Sequence, residues 1–194
     1  MPGSHISNEI EAKRAELRKR FRFERSQRSL GGDWLHLLRA LEISSATTIA
    51  SYISYGDEPD TSSLNEELRR RGKRVLLPRI DESGRITWIE WDATMKIERH
   101  RKRPHLAQPE GNIFSGSIDV VIAPALRVDR LGVRLGQGGG SYDRALKEVA
   151  AESSWKVALL HDEEVSAEPL PCEDHDVRMD AVALPEIVVR FKKS

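Results

Sequence analysis

Apolar residues along this chain follow two rhythms, one of helices and one of short strands. From Glu9 to about Arg28 a run rich in Glu, Lys, Arg, Ala and Leu places Ile10, Arg14, Leu17 and Phe21 at three- or four-residue spacing. That spacing predicts a helix with a strongly basic face. Gly31-Gly32-Asp33 breaks it, and Asp33 is suited to cap a short second helix through Trp34, Leu37, Leu38 and Leu41. Thr47–Ile53 is short and β-branched, hence a strand, and it ends in the loop Gly56-Asp57-Glu58-Pro59-Asp60. A helix starting at Thr61 or Ser62 carries Leu64 and Leu68 and stops at Gly72, before a strand at Val75–Pro78.

Ile86–Trp91 reads as another strand, and the polar, basic stretch Arg99–Gly111, interrupted by Pro104 and Pro109, as a long loop. The fully apolar Val120–Ala123 suggests a buried parallel strand. It leads through Pro124 to a glycine-rich segment, Gly132–Gly140, and a helix from Ser141 carrying Leu146 and Val149. Trp155–Leu160 and Ala181–Leu184 supply two further strands. Strands alternating with helices predict an α/β, single-domain layered fold: a mostly parallel β-sheet flanked by helices. Residues 9–194 form that domain, and residues 1–8 read as a disordered end or an expression scar.

Composition narrows the function. The 194 residues include 31 Lys plus Arg and 31 Asp plus Glu, so no global charge draws the chain to nucleic acid or anionic lipid. No apolar run approaches the roughly 20 residues of a membrane span. A lone cysteine, Cys172, forms no intrachain bridge, and the simple reading is a reducing, cytoplasmic setting. The cysteine and the six histidines show no zinc spacing, and neither H-E-x-x-H nor G-x-S-x-G occurs.

The strongest local signal is Arg134-Leu135-Gly136-Gln137-Gly138-Gly139-Gly140-Ser141-Tyr142-Asp143-Arg144, between a buried strand and a helix. Glycines let backbone approach a ligand, and a helix start offers unpaired N–H groups and a positive dipole end, a cradle for phosphate. Arg134 and Arg144 can add charge-assisted bonds. The segment reads equally as a flexible turn. It is neither a Walker A motif nor G-x-G-x-x-G.

Pro124–Leu146 resembles the signature of the 5-formyltetrahydrofolate cyclo-ligases, in which a proline, an apolar pair, an aspartate and a glycine precede R-L-G-x-G-x-G-Y-Y-D. The resemblance extends over most of the chain. Arg14-Ala15-Glu16-Leu17-Arg18 is similar to the family's basic helix, which implies that Arg14 and Arg18 contact ATP phosphates; without the family this is a solvated helix face. The resemblance also implies an ATP site over Arg134, Leu135, Gly136, Gln137, Gly138, Gly139, Gly140, Ser141 and Tyr142. Ile53 and Glu58, with Tyr142, are implied to hold the folate, and Arg134 and Tyr142 to act in catalysis. Leu170–Asp180 resembles the closing D-x-x-x-D motif, which implies magnesium at Asp143 and Asp176. Taken alone, Asp143 suits a helix's first turn and Asp176 a loop turn.

The implied reaction is cyclisation of 5-formyltetrahydrofolate to 5,10-methenyltetrahydrofolate. ATP phosphorylates the formyl oxygen, with Mg2+ assisting, and ADP and phosphate are released. The implied partners are small molecules acting on a monomer, with no nucleic acid and no membrane. Ser141 and Val128 depart from the usual aromatics, and Arg127 is unusual beside an apolar strand end. A rival reading is a non-catalytic nucleotide- or folate-binding module on the same fold. Another is nucleic-acid binding through Arg99-His100-Arg101-Lys102-Arg103, disfavoured by neutral charge and absent aromatic interleaving. That basic run reads either as a solvated loop or as an attractor for polyglutamylated substrate.

Overall fold

The computed structural model describes residues 3–28, 31–92, 94–150, 153–174 and 176–192. Helix α1 (Gly3–Ser26) begins at Gly3 rather than near Glu9, so 3–8 continue the helix instead of forming a disordered end. The Ser7 hydroxyl, donating to Glu173 at 2.8 Å, ties this stretch to the rest of the chain. A 3-10 helix (Leu35–Arg39) and α2 (Leu41–Ser45) replace the single second helix expected there. Asp33 does accept the Leu35 N–H, at 2.9 Å.

The strands that follow are β1 (Thr48–Ala50), β2 (Arg74–Ile80) and β3 (Ile86–Glu90), with α3 (Ser62–Arg70) between the first two. Gly72 ends α3 at φ +75°, the left-handed turn that glycine adopts without strain. Then come β4 (Ile97–Arg99), β5 (Ala107–Pro109), β6 (Val120–Pro124), β7 (Arg127–Asp129) and β8 (Arg134–Leu135). Helix α4 (Ser141–Ala150), β9 (Trp155–Leu159), β10 (Val165–Ser166), β11 (Ala181–Ala183) and β12 (Val188–Arg190) complete the order.

Seven strands form the main sheet in the order β12-β11-β9-β6-β1-β2-β3. The five inner strands run parallel, and β3 and β12 close the edges antiparallel. Both faces are covered, so alternate residues of one strand serve two cores. Ile49, Val75, Leu77, Val157 and Leu159 pack with Trp34, Leu37, Leu64 and Leu68 on one face. Ala50, Leu76, Val121, Ala123 and Ala158 pack with Ala145, Leu146 and Val149 of α4 on the other.

The basic stretch expected as a long loop contains a hairpin, β4 paired with β5 through Glu98↔Gln108. All three β4 residues are exposed, so the segment lacks the apolar alternation by which a strand is recognised. Its turn is organised by the buried His100, whose Nδ1 accepts the N–H groups of Lys102 and Arg103 at 3.1 Å each.

A small sheet, β10-β7-β8, lies beneath α1. Phe21 packs there with Leu126, Val133, Leu135 and Leu170. Alongside it the fully buried Glu164 accepts Arg25 Nε at 2.8 Å and Arg25 Nη2 at 2.6 Å, and pairs with Arg127 at 3.3 Å. Arg127 also donates to Glu24 at 2.7 Å and lies 4.4 Å from the Phe21 ring centroid. The unusual strand-end arginine is thus one member of a network that fastens α1 to the sheet. Removing one partner of such a network strands buried charge. Glu164→Gln is expected to cost roughly 3–5 kcal/mol, read as a fall in the urea midpoint; an unchanged midpoint would show that the network contributes nothing net.

Candidate active-site cleft

A cleft of about 630 Å³ opens beside the carboxyl ends of β1, β2 and β6, where open α/β sheets place their ligands. Chain leaving β1 supplies Tyr52, Ile53, Tyr55, Asp57 and Glu58, and β2 supplies Pro78 and Ile80. The glycine loop and the start of α4 supply Gly136 to Asp143, and Arg134 lies beside them. Of the expected site residues, Ile53, Glu58, Arg134, Gly136, Gln137, Gly138, Gly139, Gly140, Ser141, Tyr142 and Asp143 line this one space. Leu135 is buried below it, against α1.

The loop is held from behind by a stripe of α1 arginines. Arg18 Nε donates to the Gly136 carbonyl at 3.2 Å. Arg22 donates to the Gln137 carbonyl and, at 3.0 Å, to the Gln137 side-chain oxygen. Because a trans peptide sets C=O and N–H on opposite sides, the N–H groups of Gln137 and Gly138 face away from α1. Among the described residues no main-chain acceptor engages the N–H groups of 137–140. Gly138, at φ +99°, also sits where a Cβ would lie 3.3 Å from Arg18 Cδ and Nε.

Arg14 and Asp176 lie outside the cleft lining. Arg14 donates to the Pro171 carbonyl at 3.1 Å and pairs with Asp176, which also accepts the Glu173 N–H at 2.8 Å. Within the closing motif, His175 falls outside the described residues. Arg134 donates to the Pro124 carbonyl at 3.1 Å and pairs with Asp143; its Nε is buried without a partner. Arg144 donates to the Gly84 carbonyl at 2.9 Å, so it braces the β2–β3 turn against the glycine loop.

Among the described residues no group of three or more His, Cys, Asp or Glu is gathered to hold a metal. Magnesium bound through phosphate oxygens and water needs only one or two carboxylates. Asp143, half exposed in the cleft, fits that role. Each aspartate is paired with an arginine, Asp143 with Arg134 and Asp176 with Arg14; Asp176 fits less well because it lies outside the cleft lining.

Glu58 is the cleft's buried carboxyl, only 8% exposed. It accepts the Tyr55 N–H at 3.3 Å and the Gln137 side-chain amide at 3.5 Å, which links the β1 loop to the glycine loop. Burial pushes its pKa up to about 7, against the opposing pull of the Tyr55 N–H, Gln137 and Arg25. Tyr142 is held well above the usual phenol range by burial and by the Glu58 charge, so its hydroxyl is a neutral donor. That hydroxyl reaches the Ser51 carbonyl at 3.5 Å, and the ring meets Trp88 edge-on at 6.3 Å.

Sequence reasoning missed Arg22, Arg25, Tyr52, Tyr55 and His105 in the lining, whereas Arg103 belongs to the basic run it had weighed as a folate-tail attractor. One signal was present: Arg14, Arg18, Arg22 and Arg25 recur at helical spacing on one face. The cleft role of Arg103 and His105 depends on the β4–β5 hairpin, which had no apolar pattern. His105 rests against Tyr55 with ring centroids 4.9 Å apart.

A carboxyl whose folded pKa exceeds its ordinary value destabilises the fold where it is charged. The penalty is absent below about pH 4.5, grows up to about 7 and is full above that. At about 1.4 kcal/mol for each pH unit of that gap, Glu58→Gln is expected to stabilise the ligand-free protein by about 3 kcal/mol at pH 8 and by almost nothing at pH 4. Urea titrations at both pH values check this; equal effects would contradict the burial argument.

A sequence model of the 5-formyltetrahydrofolate cyclo-ligase family matches residues 4–185. The 5-formyltetrahydrofolate cyclo-ligase of Mycolicibacterium smegmatis is 38% identical over 157 residues, 77% of this chain and 78% of that one. The Escherichia coli K12 protein of the same name is 33% identical, over 74% of this chain and 80% of its own. The solved structure of Aquifex aeolicus 5,10-methenyltetrahydrofolate synthetase superposes with a TM-score of 0.75 at 26% identity, covering 93% of this chain and 94% of that one. Matched by the family's model over residues 4–185 and by relatives along most of its length, the chain belongs to the 5-formyltetrahydrofolate cyclo-ligase family.

Proposed function

We propose that this cleft performs the family's ATP-dependent cyclisation of 5-formyltetrahydrofolate to 5,10-methenyltetrahydrofolate. The observation that carries the reading is the glycine loop. Its carbonyls are turned to α1, its N–H groups are left without main-chain acceptors, and it opens α4 on the same space as a buried carboxyl.

The formyl oxygen attacks the γ-phosphorus of ATP and ADP departs. N10 then attacks the activated formyl carbon, loses its proton, and phosphate leaves. No protein nucleophile is required; the chain's work is to position the reactants and balance charge. The loop N–H groups and the α4 amino end take phosphate oxygens. Arg134 adds its guanidinium, and Arg18 and Arg22 hold the loop in shape, with Arg14 bracing the closing motif rather than touching phosphate. Asp143 would hold a magnesium ion, which supplies charge neutralisation for the nucleotide. Ile53 gives apolar contact to the folate, the Tyr142 hydroxyl donates to it, and ionised Glu58 accepts from its N–H groups.

A monomer in the cytoplasm is the proposed setting, consistent with the exposed, unpaired Cys172. No helix among the described residues is long and apolar enough to cross a membrane. Arg101 and Lys102 are held by Glu82, so of the basic run it is Arg103, in the cleft lining, that would meet a polyglutamate tail.

Methenyl product is expected only when ATP and a divalent metal are both supplied, followed by its ultraviolet band; turnover without ATP would sink the reading. Gly138→Val is expected to lower kcat/KM for ATP by roughly 10²-fold, the scale of a 1 Å misplacement, because the side chain presses on Arg18. Unchanged ATP kinetics would remove the loop from the phosphate site. Asp143→Asn is expected to raise the magnesium concentration needed for half-maximal rate while leaving the folate KM nearly as it was. An unaltered magnesium requirement would place the ion elsewhere.

A further inference from the structure

A buried donor of one cleft-lining residue, Arg25, has no hydrogen-bond partner among the described residues. Arg25 is 2% exposed and lines the cleft. Its Nε and Nη2 go to Glu164, and Nη2 also donates to the Ala125 carbonyl at 2.7 Å. Nη1 is buried without a hydrogen-bond partner. Buried guanidinium N–H groups are ordinarily satisfied, so an orphan at the wall of a binding cleft points to an acceptor brought by the ligand.

The kind of acceptor follows from charge. Arg25 is already neutralised by Glu164, and the neighbouring Arg127 has both Glu164 and Glu24. The wall is therefore suited to a neutral carbonyl rather than to phosphate, whose place is the glycine loop. Glu58, Tyr52 and Tyr55 line the same cleft as Arg25. The cleft thus offers both a donor and an acceptor. A planar ring with an amide edge, C=O next to N–H and an amino group, matches that pair, and the pterin of a reduced folate has such an edge.

We infer that Arg25 is a substrate-binding residue whose Nη1 donates to the ring carbonyl of the pterin, beside Glu58, which accepts from the N–H groups of the same edge. This rests on the reading of the cleft as the folate site. A site built to bond one substrate group discriminates strongly against an analogue that lacks it, because its own polar group is then left unpaired.

The test compares 5-formyltetrahydrofolate with its 4-amino analogue, in which a donor replaces the carbonyl acceptor and the adjacent ring N–H facing Glu58 is lost, by equilibrium binding to the whole protein. The wild-type protein is expected to prefer the 4-oxo form by at least about tenfold. Arg25→Lys keeps a cation for Glu164 but drops Nη1. It is expected to cut that preference severalfold, weakening the 4-oxo form by more than it weakens ATP, whose glycine loop Arg25 helps to place through α1. Equal binding of both forms by the wild type overturns the inference without recourse to any variant. So does a Lys variant that keeps the full preference, or one that weakens both folates and ATP alike, the pattern of a purely structural arginine. If the wild type binds neither folate, the reading of the cleft itself fails, an outcome distinct from these.

Discussion

The glycine loop has little to hold it in place by itself. Its residues have no apolar side chains to bury, and Gly138 and Gly140 sit in left-handed backbone that only glycine adopts cheaply. What gives it one shape is the grip of Arg18 and Arg22 on two successive carbonyls. Those arginines are placed by α1, and α1 is placed by Phe21 on the small sheet and by the buried pairing of Arg25 and Arg127 with Glu164. The glycine-loop end of the cleft therefore depends on a helix and on ion pairs that do not touch the loop itself. Helix-to-loop contact of this kind fixes which side of each peptide plane is open to ligand.

The other end of the cleft is governed by desolvation. Glu58 is buried among Tyr52, Tyr142 and the β1 loop, and it gains only two modest hydrogen bonds in return. Its ionisation near neutrality follows from that imbalance. A carboxyl stored at a cost in the empty protein can become a well-paired acceptor once a ligand brings N–H groups, and such perturbed groups cluster where binding or chemistry occurs. The unpartnered nitrogens of Arg25 and Arg134 belong to the same pattern.

Much of this was legible in the sequence. Val120–Ala123 reads as a buried parallel strand because both of its faces are covered, and Ser141 reads as a helix start because the glycines before it cannot continue a strand. The signature loop and Glu58, both picked out in the sequence, line one cleft. What stayed hidden has physical reasons. The β4–β5 hairpin is wet on all of β4, so it carries no periodicity, and with it went His105. Two-residue β10 is too short to leave a pattern. The β1 strand is shorter than its β-branched run because Ser51 and Tyr52 turn their polar groups to Asn65, Pro59 and Thr61. Arg14 and Asp176 are chemically suited to phosphate and metal, yet here they bond each other, a pairing that residue type alone cannot reveal.

In the proposed reaction, α1 turns the glycine-loop carbonyls away from the cleft so that the loop N–H groups can receive phosphate. Hydrogen exchange of the 137–140 amides tests this most directly. The account predicts fast exchange in the free protein, as befits N–H groups without acceptors, and marked slowing when ATP is added with magnesium, with smaller changes in the β4–β5 hairpin. Amides that are already slow without nucleotide, or that exchange at the same rate with and without it, would contradict the account.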